Sequence, residues 1–86
     1  MTISVLSPER EMYTGAITSV TVPGVEGEFQ VLRNHAPIVS ALMPGSVVIR
    51  RADNQIITMK IQRGFIEVLN NEVALLIQGA DQVSGL

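Results

Sequence analysis

Cysteine and tryptophan are absent from the 86 residues, and histidine and tyrosine occur once each. Without cysteine there is no disulfide framework, no thiol nucleophile and no zinc knuckle, and a lone histidine assembles no local metal site. Aromatic residues make up only 3% of the chain, and 6 Lys plus Arg stand against 8 Asp plus Glu. That leaves neither a stacking platform nor a basic stripe, which disfavours nucleic-acid binding. No apolar run approaches the ~18 to 20 residues that a bilayer-spanning helix needs. The opening Met1-Thr2-Ile3-Ser4 lacks the charged and apolar regions of a signal peptide, so the residues alone give a cytoplasmic expectation.

What remains is apolar. Hydrophobic residues are 47% of the chain and charged residues 16%, the latter well below the ~25% usual in soluble domains. The length suits one domain, 1–86, which at this size buries only about 60 to 65% of its unfolded surface. With no metal or disulfide to help, apolar packing alone must hold it. Small domains need proportionally more polar surface, so the apolar excess implies that a partner covers part of the exterior.

Turn signals recur every ~8 to 12 residues between short stretches rich in Val and Ile, the pattern of an all-β sandwich. Ile3 to Leu6 reads as a strand closed by Ser7-Pro8, and Glu11 to Thr14 leads to a bend at Gly15. Ile17 to Val22 alternates imperfectly, and a Gly24 to Gly27 turn precedes Glu28 to Leu32, where Phe29 and Val31 share a face. Pro44-Gly45 carries the residues of a type II turn. Two hairpins are predicted: Val47 to Arg51 with Gln55 to Ile61 around Ala52-Asp53-Asn54, and Phe65 to Leu69 with Glu72 to Ile77 around Asn70-Asn71. The unbroken run Val73 to Ile77 predicts a strand covered on both faces, and no periodicity is expected beyond Gly79. At most one helical turn is predicted, near His35 to Leu42.

Chemistry is scarce. His35 lies in Arg33-Asn34-His35-Ala36-Pro37, loop-like because a residue before proline avoids the α region; a structural hydrogen bond or a partner contact suits it better than catalysis. Glu26 and Glu28 flank Gly27 and would point the same way in extended chain, but a sugar-cleaving pair wants aromatic platforms that are missing. Gly24-Val25-Glu26-Gly27 has no Lys-Ser/Thr pair, and its acid would repel phosphate. Met59-Lys60 is like the attachment site of biotinyl or lipoyl carrier domains, although no turn residue flanks it; a lysine reaching outward from a strand is the plainer reading.

Taken in order, Ile3-Ser4-Val5-Leu6-Ser7-Pro8, Tyr13-Thr14-Gly15, Gly24-Val25-Glu26-Gly27-Glu28-Phe29, His35-Ala36-Pro37, Pro44-Gly45 and Gly64-Phe65-Ile66-Glu67-Val68 resemble the N-terminal β-sandwich of the epsilon subunit of F-type ATP synthase. The resemblance implies a flattened antiparallel two-sheet sandwich of about ten short strands, with no cofactor and no active site. It implies a rotor subunit in the central stalk that binds gamma and couples it to the c-subunit ring while an ion gradient drives ATP synthesis. Glu28 would face the c-ring loops, and His35 with Ala36 and Pro37 would lie near gamma. The location implied is peripheral, on the cytoplasmic face of the bacterial inner membrane. Arg33-Asn34 replaces the family's usual Pro-Gly, and Gln62-Arg63 stands where a second glycine usually precedes Gly64. No counterpart of the family's C-terminal helical hairpin follows Gly79, so coupling without inhibition is expected. The competing expectation is a carrier domain modified on Lys60.

Overall fold

The computed structural model describes residues 1–86. Its strands are β1 (Thr2–Leu6), β2 (Glu11–Gly24), β3 (Gly27–Leu32), β4 (Ile38–Leu42), β5 (Gly45–Arg51), β6 (Ile56–Ile61), β7 (Arg63–Leu69), β8 (Glu72–Gln78) and β9 (Asp81–Ser84), with no helix. The all-β sandwich expected from the sequence is what forms, with nine strands. Every pairing is antiparallel except β1 with β8, which is parallel.

The chain order of neighbours is β1-β8-β7-β4-β2-β5-β6-β9, with β3 pairing only β2 and β1 also returning to β2. The long β2 belongs to both layers. Its first half pairs with β1 and its second half with β3. Between them Ile17 lies opposite Arg51 and Ser19 opposite Arg50, so Thr18 is an extra residue. Such a bulge bends a strand and shifts its alternation by one. Ile17 is buried before it, and Val20 and Val22 after it. The imperfect pattern of Ile17 to Val22 is this bulge, whereas Gly15 lies inside unbroken strand.

Seventeen buried residues fill the space between the layers, all of them Ile, Val, Leu or Met. They come from alternate positions, as in Ile57, Met59 and Ile61 of β6 and Val73, Leu75 and Ile77 of β8. Both predicted hairpins form. At the first, Asn54 has φ 69 and the Arg51 guanidinium meets the Asp53 carboxylate at 3.1 Å. At the second, Asn70 and Asn71 have φ 50 and 62, the left-handed pair that a two-residue hairpin turn requires.

Four local expectations are corrected. Pro44-Gly45 is not a type II turn, because Gly45 has no positive φ and opens β5. Glycine is needed there for space: a Cβ would sit 2.8 Å from Cβ of Pro23. Residues 38–42 form β4 rather than a helical turn. The run Val73 to Ile77 is covered on one face only, since Leu76 is 52% exposed while Leu75 is fully buried. Beyond Gly79 the chain makes β9, which pairs with β6 through Thr58 with Ser84 and Lys60 with Asp81.

Candidate partner-binding surface

The outer face of the layer β4-β7-β8-β1 carries the apolar excess that composition signalled. Ala41 stands opposite Phe65, Phe65 opposite Leu76, and Leu76 beside Leu6. Period-two geometry therefore aligns four apolar side chains across four strands, about 14 Å. Phe65 is 57% exposed and Leu76 52%. Together with Pro8 they line an open groove of about 490 Å³, at whose rim Arg63 Nε donates to Gln78 Oε1 at 2.5 Å. Nearer the His35 loop, Pro37, Val39 and Leu69 form a second apolar group around Glu67. Val39 is the most exposed large apolar side chain of all, at 70%.

The loop bearing His35 is held from both ends. His35 N–H donates to the Leu32 carbonyl at 3.1 Å, and its ring Nδ1 lies 2.6 Å from the Ala36 carbonyl. A carbonyl only accepts, so Nδ1 is the donor in that bond. Asn34, with φ 65, is bonded twice to Asn71 of the β7–β8 turn. His35 is half-buried, whereas Ala36 and Pro37 are exposed.

Glu28 lies at the other end of β3, opposite Pro23 and next to the two-residue turn Val25-Glu26. It is exposed and has no hydrogen-bond or ion-pair partner within the chain. The candidate residues thus fall in two places. Glu28 marks one end of β3, and His35, Ala36 and Pro37 follow the other, separated by a strand about 20 Å long. Glu26 sits in the turn itself rather than beside Glu28 on the strand.

Sequence reasoning missed the row Ala41, Phe65, Leu76 and Leu6. The available signal was Leu76, apolar yet out of phase with Val73, Leu75 and Ile77. Lys60, the alternative candidate, lies within β6, flanked by Ser46 of β5 and Asp81 of β9. A carrier lysine must stand at the tip of a hairpin turn to swing its cofactor, and a lysine between two paired strands does not. No group of three His, Asp or Glu side chains gathers at metal-binding spacing, and no buried side-chain polar atom lacks a partner. Nor is any helix long and apolar enough to cross a membrane.

Residues 1–83 match the family model described as the ATP synthase, Delta/Epsilon chain, beta-sandwich domain. The ATP synthase epsilon chain of Helicobacter pylori (strain P12) is 46% identical over 78 residues, covering 91% of this chain and 63% of its own length. That of Leptospira borgpetersenii is 42% identical over 76 residues, covering 88% of this chain and 59% of its own. The epsilon chain of Chlorobaculum tepidum is 39% identical over 77 residues and is covered over 88% of its length. The chain therefore spans about three fifths of the Leptospira relative and nearly all of the Chlorobaculum one. A chain of the Euglena gracilis mitochondrial ATP synthase, solved as OSCP/F1/c-ring, shares the fold with a TM-score of 0.82 at 20% identity, over 92% of this chain and 51% of that one. With a family match across residues 1–83 and relatives of this identity, the chain belongs to the β-sandwich family of ATP synthase delta and epsilon chains.

Proposed function

We propose that this chain is a non-catalytic rotor subunit of an F-type ATP synthase, joining the gamma subunit to the c-subunit ring during ATP synthesis driven by an ion gradient. The observation that carries the reading is the family match over residues 1–83, in a molecule with an exposed apolar face. Residues 1–86 act as one unit. Gamma covers the outer face of β4-β7-β8-β1, from the His35-Ala36-Pro37 loop across Val39 to Phe65 and Leu76. The c-ring loops meet the opposite end of β3, where Glu28 offers a free carboxylate to basic or amide side chains. The subunit is peripheral, on the cytoplasmic face of a bacterial inner membrane, and takes no cofactor.

Burial of apolar area contributes about 25 cal/mol per Å² before the costs of association, so Phe65 and Leu76 supply affinity. The charged end at Glu28 supplies register, since a solvent-edged ion pair is worth only ~0.2 to 1 kcal/mol. Affinity capture of the tagged chain from detergent-solubilised membranes of its host tests the reading. Co-purification of gamma and c subunits is expected; recovery of the chain without either would refute it.

A further inference from the structure

Four segments end a layer with one side unpaired, namely the first half of β2, which pairs only with β1, together with β3, β4 and β9; the last two are blunted. β9 has four residues, a register shift against β6, and positive φ at Gln82 with Gly79 and Gly85 on either side. β4 has five residues between Pro37 and Pro44, and its far end is closed by Val25 N–H donating to the Ala41 carbonyl and Met43 N–H donating to the Pro23 carbonyl. β3 is blunted least: only its first residue, Gly27, has positive φ (126), and Glu28 is its one charge. It runs six residues in unbroken register with β2, without proline, lysine or bulge. Folded proteins blunt such edges unless something pairs with them.

The direction of the free groups follows from the turn. Gly24 and Gly27 flank a two-residue loop and are paired, so they exchange hydrogen bonds with each other. Pairs then alternate along the ladder, placing Val22 with Phe29 and Val20 with Val31 in the bonded class. Glu28, Gln30 and Leu32 are left with their backbone groups turned away from β2. Two bonds agree with this phase. Pro23, opposite Glu28, gives its carbonyl to Met43 on the far side of β2, and the Leu32 carbonyl accepts from His35 beyond the strand. The N–H groups of 28, 30 and 32 and the carbonyls of 28 and 30 therefore form an exposed row with no partner in the chain.

We infer that β3 accepts an added strand: an extended segment of the gamma subunit pairs with this edge through the backbone of Glu28, Gln30 and Leu32. The inference rests on the stalk reading for the identity of gamma, and the edge adjoins the His35 loop already assigned to that partner. The chemistry of the segment is set by its neighbours. Residues beside Phe29 and Val31 turn toward the core and are apolar; the alternate ones share the outer face with Gln30 and Leu32 and are polar or apolar, leaving the Glu28 carboxylate itself to the c-ring loops.

The test is amide hydrogen exchange on this chain, alone and with purified gamma subunit, combined with gamma titrations of Gln30→Pro and Gln30→Ala. Gln30→Pro removes an N–H that β2 does not use, and edge strands tolerate proline. Gln30→Ala keeps it. The expected result is slowing of exchange at 28, 30 and 32 by about 100-fold in the complex. Gln30→Pro, checked for native circular dichroism, should bind about 10-fold or more weakly while Gln30→Ala binds like the parent. Gamma bound with those three amides still exchanging freely overturns the inference and leaves the stalk reading intact. Protection that appears in the concentrated free chain assigns the edge to a second copy and also overturns it. No binding of gamma by the parent chain refutes both.

Discussion

Asn34 and Asn71, 37 positions apart, clasp each other: Asn34 N–H donates to Asn71 Oδ1 at 2.6 Å, and Asn71 Nδ2 donates to Asn34 Oδ1 at 3.0 Å. Both have positive φ, which asparagine tolerates better than most residues. The clasp ties the loop after β3 to the β7–β8 turn, so the His35 loop is anchored to the strand pair that presents Phe65 and Leu76.

Asn71→Gly and Asn71→Ala separate the two roles of this residue. Glycine accepts the positive φ and loses only the side-chain bonds, which for exposed groups amounts to about 0.5 to 1.5 kcal/mol. Alanine loses the bonds and adds about 1 to 2 kcal/mol of left-handed strain. Urea unfolding should therefore rank the parent above the glycine variant and the glycine variant above alanine. Equal stabilities for the two variants would mean that backbone conformation at 71 is unimportant.

His35→Glu is expected to weaken gamma binding while the fold persists. The native ring makes one exposed-loop bond to Ala36, worth about 1 kcal/mol at most in net stability, whereas a carboxylate pointed at an apolar interface must be desolvated or excluded. Gamma titration and a thermal melt of the same preparation check this. An unfolded variant would make His35 a structural residue of the loop.

Legibility in the sequence followed how local the determining physics is. The hairpins at Asp53-Asn54 and Asn70-Asn71 were readable because the turn residues themselves favour left-handed φ. The Thr18 bulge was visible only as a broken alternation, since its cause is the passage of β2 from one layer to the other. Pro44-Gly45 misled because Gly45 answers to Pro23, a residue distant in sequence. The candidate contacts at Glu28 and His35 came through a resemblance. The apolar row was hidden because its members lie on four strands, and only the register of β1 beside β8 brings Leu6 to Leu76.

Glu28→Cys should form a disulfide with a cysteine placed in the polar loop of the c subunit when the complex is assembled and active. The carboxylate is exposed and unpaired within the chain, at the turn end of β3. Little affinity is lost, given the small worth of a solvent-edged charge contact. Scanning cysteine through the c loop and finding no crosslink at any position would remove Glu28 from the ring interface.

Leu75 and Leu76 test the division between core and contact face with two adjacent, chemically identical side chains. Leu75 has no exposed surface, and Leu76 is 52% exposed opposite Phe65. Leu75→Ala leaves a cavity and is expected to cost about 2 to 5 kcal/mol of stability. Leu76→Ala should stay within about 0.5 kcal/mol, as exposed substitutions do. Binding should show the reverse order. Leu76→Ala and Phe65→Ala remove side chains from the centre of the proposed gamma face and should each weaken gamma by about 1 kcal/mol or more, roughly 5-fold or greater. Any loss seen with Leu75→Ala should vanish once the folded fraction is taken into account. Denaturant melts and gamma titrations on the same three variants decide it: full-strength gamma binding by both surface variants would move the gamma contact away from this face, and a large stability loss at Leu76 would place that side chain in the core.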